Sequence, residues 1–108
     1  MENKKHVIYI AGPMTGIEDH NVPAFREAEN YLLSLGSDIT VKNPADNEDP
    51  SLTWQDYMRL SLVMISESTA MYFLNGWEKS RGATLEHTIG KALGLKIIYE
   101  VSDEEQTN

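Results

Sequence analysis

Apolar residues along the chain gather into four short continuous runs, separated by three stretches in which they recur every three or four positions. The first run, His6-Val7-Ile8-Tyr9-Ile10-Ala11, is β-branched and aromatic almost throughout and stops at Gly12-Pro13, as expected of a strand buried on both faces. After a loop from Pro13 to Asn21, the residues Val22, Phe25, Ala28, Leu32 and Leu35 share one helical face, with Pro23 near its start and Gly36 just past its end. Ile39-Thr40-Val41 predicts a second strand, stopped by Asn43-Pro44 and followed by a polar loop through Pro50. Thr53 and Asp56 have capping-box spacing ahead of a stripe of Trp54, Tyr57 or Met58, Ser61, Leu62 and Ile65, which predicts a second helix. Ala70-Met71-Tyr72-Phe73-Leu74 predicts a third strand and Asn75-Gly76 a turn. A third helix follows from about Gly82 to Leu93, ended by Gly94, and Lys96-Ile97-Ile98-Tyr99 supplies a fourth strand.

Four strands alternating with three helices are the pattern of a parallel sheet covered on both faces, so the expected class is α/β, doubly wound in the Rossmann or flavodoxin manner. Right-handed crossovers make 2-1-3-4 the expected strand order, with the winding reversing between strands 1 and 3. Ligands of such sheets bind at that switch point. The loops meeting there are Gly12-Pro13-Met14-Thr15-Gly16 and the segment from Asn75 to Gly82. The 108 residues suit a single domain with an acidic tail over about 101–108.

The run Ser80-Arg81-Gly82-Ala83-Thr84-Leu85-Glu86 puts a carboxylate near the start of the third helix, beside the switch point. There the free N–H groups and the positive end of the helix dipole are expected to keep it ionised, and an ionised, positioned carboxylate can be a nucleophile. The expected core stripe of this helix is Leu85, Ile89, Ala92 and Leu93, with Gly82, Glu86 and Gly90 along its flank. Those glycines either leave room for a ligand against Glu86 or allow the helix to approach a strand closely. Ser80 is a plausible N-cap whose hydroxyl, with the N–H groups of Gly82 and Ala83, suits a phosphate or a ribose hydroxyl. The Gly12 loop is neither a P-loop nor a dinucleotide fingerprint. Trp54, Tyr57, Tyr72 and Trp77 are either core or stacking surfaces for a base, and Trp77, in the loop beside the cleft, is the best placed to stack.

Nine basic against seventeen acidic residues, a net charge of −8, argue against a nucleic-acid polymer or an anionic membrane as partner, so any phosphate must be held locally. The absence of cysteine removes disulfides and thiolate chemistry. His6, His20 and His87 lack metal-ligand spacing, and neither metal nor cofactor is expected. The apolar run near the start is too short for a signal peptide or a membrane span, which predicts a cytoplasmic protein.

Tyr9-Ile10-Ala11-Gly12-Pro13-Met14-Thr15-Gly16, with Asn75-Gly76-Trp77-Glu78-Lys79-Ser80-Arg81-Gly82-Ala83-Thr84-Leu85-Glu86, resembles the nucleoside 2-deoxyribosyltransferase-like superfamily, most closely its small branch in bacteria and their phages. Asn43-Pro44-Ala45-Asp46 and Ala92-Leu93-Gly94-Leu95-Lys96 also fit, so the resemblance covers nearly the whole chain. It implies cleavage or exchange of the N-glycosidic bond of deoxynucleosides or their monophosphates, in host cytoplasm if the gene is a phage's. Glu86 matches the nucleophile that attacks the sugar C1′, Tyr9 a tyrosine that orients the site, and Ser80 a serine used near phosphate. On this reading Asn75 joins Tyr9 and Ser80 in orienting sugar or phosphate. The chain departs from the pattern at Thr69 and Ser61, where relatives carry aspartates, and near Thr15, where the nucleotide-hydrolysing branch has an arginine. The alternative that these departures motivate is a non-catalytic binder that sequesters a nucleotide or a nucleotide-derived signal. A protein-interaction role through Met14, Met58 and Met64 is a third reading. Relatives complete their sites from a neighbouring subunit, and sheet edges at strands 2 and 4 favour self-association, so a homodimer or higher oligomer is expected.

Overall fold

β1, His6–Ala11, is a central strand of a parallel sheet ordered β2-β1-β3-β4, where β2 is Ile39–Lys42, β3 is Ala70–Phe73 and β4 is Lys96–Tyr99. The computed structural model describes residues 6–101, so most of the expected acidic tail lies outside the described residues. Three helices connect the strands: α1 (Val22–Leu33), α2 (Trp54–Ser66) and α3 (Arg81–Ala92). Short 3-10 turns at Glu18–Asn21, Pro44–Asn47 and Trp77–Lys79 occupy stretches that the sequence pattern reads as loop. Class, strand order and helix count are those expected from the sequence.

Strand alternation divides the core in two. In β1, Ile8 and Ile10 face α1, where with Ala70 and Tyr72 of β3 they meet Phe25, Ala28 and Leu32. Tyr9 and Ala11 face the other way and join Met71, Phe73 and Ile65 beneath α2 and α3. The register sets Ile8 against Val41 and Ala70, and Tyr9 against Lys42 and Met71. Tyr9 therefore sits under the second helix layer by parity alone. α2 opens with the expected capping box, in which the Asp56 N–H donates to Thr53 Oγ1 and the Thr53 N–H donates to Asp56 Oδ2.

Three expected stripes need correction. Leu35 lies past the end of α1 and is 58% exposed, and Leu62 points outward from α2 beside the buried Ser61 and Ile65. In α3 the reversal is larger: Leu85 is 45% exposed and Leu93 56%, Ala92 is exposed and Ile89 half-buried, while Ala83, Glu86 and Gly90 face the sheet. Small residues win this face because the helix approaches closely. A Cβ on Gly90 would lie 2.1 Å from Met71 Sδ, so that glycine serves packing rather than ligand room. With Ala83 and Gly90 on either side, Glu86 is the long side chain directed at the sheet. The methionines are not a surface feature either, since Met58 is buried and Met14 and Met64 are half-buried.

Candidate functional site

The carboxyl ends of β1 and β3 open into a cleft of about 450 Å³ at the switch point. Its floor is made by Tyr9 and Ala11 of β1 and Glu86 of α3, its walls by Met58 and Ser61 of α2 and by Pro44, and its rim by Gly12-Pro13-Met14-Thr15 and the start of α3. The rim loop is fixed in place. A Cβ on Gly12 would stand 2.9 Å from Leu74 Cβ, so only glycine permits the close approach to the residue that follows β3, and Asn21 Nδ2 donates to the Pro13 carbonyl at 2.9 Å. Asn43, fully buried, accepts from the Ala45 N–H and donates to the Phe25 carbonyl and Glu29, which fixes Pro44 in the wall.

At the floor, the Tyr9 hydroxyl donates to Glu86 Oε2 at 3.1 Å, and the Ser61 hydroxyl stands close enough to both groups to favour their charged forms. Burial raises the Glu86 carboxyl to a pKa of about 8, outweighing the Tyr9 and Ser61 hydroxyls that favour its charged form. The expected ionised state is thereby corrected. Glu86 is the sixth residue of α3, beyond the first turn where free N–H groups and the dipole act, and desolvation dominates. Tyr9 is pushed well above its ordinary value by burial and then by Glu86, so it remains a proton-bearing donor.

At the rim, the Ser80 hydroxyl caps α3 by accepting from the Ala83 N–H at 3.1 Å. The Ala83 donor is therefore already taken, and the first-turn N–H groups without an intrahelical partner are those of Arg81 and Gly82. Lys79 and Arg81 line the same rim, two cations on a chain of net charge −8. The Arg81 guanidinium lies 3.8 Å from the centroid of the Trp54 ring, which bridges the starts of α2 and α3.

Of the residues singled out from sequence, Tyr9, Gly12, Pro13, Met14, Thr15, Ser80, Gly82, Ala83 and Glu86 converge on this cleft. Asn75, Gly76 and Trp77 do not line it. Asn75 is exposed, and its N–H donates to the Glu100 carboxylate. Gly76 takes the left-handed conformation that starts the Trp77–Lys79 turn. Trp77 stacks on His87 with ring centroids 4.3 Å apart and packs on Phe73 and Tyr99. Burial lowers the His87 pKa, and its Nε2 shares a hydrogen bond with the Tyr99 hydroxyl at 2.8 Å. Trp54, not Trp77, is the indole in the cleft. The sequence reading lacked Lys79, Arg81 and Ser61 as site residues; only the placement of α2 over α3 reveals them.

Thr69 also finds a different place. It precedes β3 at the amino end of the sheet, where its N–H donates to the Val7 carbonyl at 2.7 Å and its Oγ1 accepts from the Val7 N–H. A carboxylate at that position would lie at the wrong end of the strands to reach Glu86. Ser61, by contrast, stands in the cleft beside it. Among the described residues no group of three or more His, Asp or Glu side chains is disposed to hold a metal ion. No described helix is long and apolar enough to cross a membrane.

Fold and cleft together define a doubly wound α/β domain with a buried carboxylate at the floor of a switch-point pocket. A family model described as a domain of unknown function, DUF4406, matches residues 6–99, and the chain belongs to that family. No curated protein matches it.

Proposed function

We propose that the cleft takes a nucleoside or nucleotide and that Glu86 attacks the sugar C1′, breaking the N-glycosidic bond by hydrolysis or transfer, as the likeness to the nucleoside 2-deoxyribosyltransferase-like superfamily implies. The observation carrying this reading is Glu86 itself, the long polar side chain of the inward face of α3, held by Tyr9 at the floor of a pocket of small-molecule size. Lys79, Arg81 and the free N–H groups of the α3 first turn supply a local place for phosphate on an acidic chain. Trp54 supplies an aromatic face. A nucleotide substrate also fits the cytoplasmic location expected from the sequence.

The test is incubation with deoxynucleosides, deoxynucleoside monophosphates and ADP-ribose-type compounds, with free base as the readout. Because Glu86 holds its proton up to a pH of about 8, and only the carboxylate attacks, release of an N7-methylated base, which leaves without needing a proton, is expected to rise about tenfold per pH unit below that value and level off above it. A rate on that substrate that does not rise through this range would remove Glu86 as the attacking carboxylate. The protonated resting state also favours the second reading, a binder that sequesters its ligand. Intact nucleotide recovered from a stable complex would establish it, and the absence of nucleotide binding in calorimetry would leave the protein-interaction role.

Ligand binding should be visible in tryptophan emission. Nucleotide binding is expected to displace Arg81 from Trp54 and change its fluorescence, so Trp54→Phe loses the signal while Trp77→Phe keeps it. The opposite pattern would move the ligand to the Trp77 side. Self-association belongs to the same reading, supported by exposed Leu60 and Val63 on α2 and by the outer edges of β2 and β4. Light scattering at micromolar concentration should give a dimer or larger species, and a monomer would count against it.

A further inference from the structure

We infer that a side cavity adjoining the cleft receives the leaving base and that His20 gives it the proton with which it leaves, an assignment that rests on the glycosidic reading above. The side cavity, about 260 Å³, meets the cleft along Met14, Thr15, Trp54 and Tyr57, which border both. Glu86 lines the cleft, whereas His20 and Glu48 line the side cavity. The Tyr57 phenol, raised to about 12 chiefly by burial, feels the charges of both Glu48 and Glu86, so one hydroxyl lies within electrostatic reach of the two. A sugar set over Glu86 therefore has a bordering space for its base, walled by Trp54 and Tyr57.

His20 is held there at a cost in backbone energy. Asp19, His20 and Asn21 have φ of 56°, 52° and 62°, three successive left-handed residues none of which is glycine. Such a conformation persists only where the surroundings fix it. Asn21 donates to the Pro13 carbonyl in the cleft rim, the His20 N–H donates to the Ile17 carbonyl at 2.8 Å, and the His20 ring binds Glu48 through Nδ1. With Glu48 accepting from Nδ1–H, Nε2 is the nitrogen that can give a proton outward. The other histidines are committed elsewhere: His6 pairs with Asp38 at the amino end of β1, and His87 with Tyr99. The two positions at which the superfamily pattern carries acids hold Thr69, at the far end of the sheet, and Ser61, a hydroxyl.

The step balances as follows. A Glu86 carboxylate oxygen bonds to C1′ as the C1′–N bond breaks; the bonding pair stays on the base, and the proton on Nε2 of cationic His20 passes to a ring nitrogen, so the base leaves neutral. A water entering from the vacated side then attacks C1′, gives its proton to neutral His20 and releases Glu86 as carboxylate.

The test compares 2′-deoxyguanosine and its 5′-monophosphate with their N7-methyl counterparts, whose base already carries the positive charge and leaves without a proton. His20→Asn is the variant, since asparagine tolerates the left-handed conformation. It is expected to lower release of guanine at least 100-fold while changing release of 7-methylguanine less than threefold. Glu48→Gln, which leaves the imidazole in place, is expected to show the same selective loss in milder form. Equal losses on both substrates, or no loss on either, would overturn the assignment while leaving the glycosidic reading intact. A wild-type chain that releases neither base removes both.

Discussion

Replacing Glu86 by glutamine is expected to reduce base release at least 1000-fold and, at the same time, to make the protein more stable at alkaline pH. Both effects come from one buried side chain. Glutamine keeps the oxygen that accepts from Tyr9 and the shape that fills the space beneath α3, but it cannot form a bond to C1′. The stability effect follows from the proton. The Glu86 carboxyl titrates at about 8 when folded, against 4.5 in a model peptide, so between those values the folded chain binds more protons than the unfolded one. The contribution of this group to stability is therefore greatest below the unfolded value and is lost as pH rises toward about 8. The slope is about 1.4 kcal/mol per pH unit where the native group is protonated and the unfolded one is not. Glutamine carries no such penalty. The difference between variant and wild type in urea titrations should be small at pH 5 and reach a few kcal/mol at pH 9. A difference independent of pH would mean that Glu86 is ionised in the native cleft.

Phe73→Ala is expected to destabilise by about 3–5 kcal/mol, the largest effect on folding foreseen for a single residue of this chain. Phe73 is fully buried in β3, and its ring meets Trp77, His87 and Tyr99 at centroid distances of 5.1, 5.0 and 6.0 Å. Removing it leaves a cavity beneath three rings that depend on one another, since Trp77 stacks on both His87 and Tyr99. In a domain of this size such a loss should lower the melting temperature by more than about 10 °C. Ligand affinity in the protein that remains folded should be nearly unchanged, because these rings do not line the cleft. A cost below about 1 kcal/mol would show that the cluster closes over the gap.

The sheet was legible in the sequence because each strand is a run of large apolar residues bounded by glycine, proline or asparagine, and because right-handed crossovers leave few orders for such a pattern. The switch point followed, and with it the Gly12 loop and the start of α3. The inward face of α3 was not legible. Hydrophobic periodicity favours Leu85, Ala92 and Leu93, but a helix that nearly touches Met71 needs Ala83 and Gly90 instead. The state of Glu86 was misread for a related reason: position near a helix start is visible in a sequence, whereas the depth to which the neighbouring elements bury a side chain is not. Sequence places Trp54 on a helix stripe and Trp77 in the loop beside the cleft, which favours the wrong indole. The two are told apart only by the placement of α2 over the start of α3 and by the rings of His87 and Tyr99.

The hydrogen bond between Tyr9 and Glu86 joins residues 77 apart in the chain. A cut in the surface loop near Asp49-Pro50 would put the two on different fragments, and neither fragment would own a cleft. The chain therefore has its site only when β1 and β3 lie side by side with α3 across them. A ligand held there grips both halves of the molecule, so it should slow global unfolding and leave the fraying of the outer strands untouched.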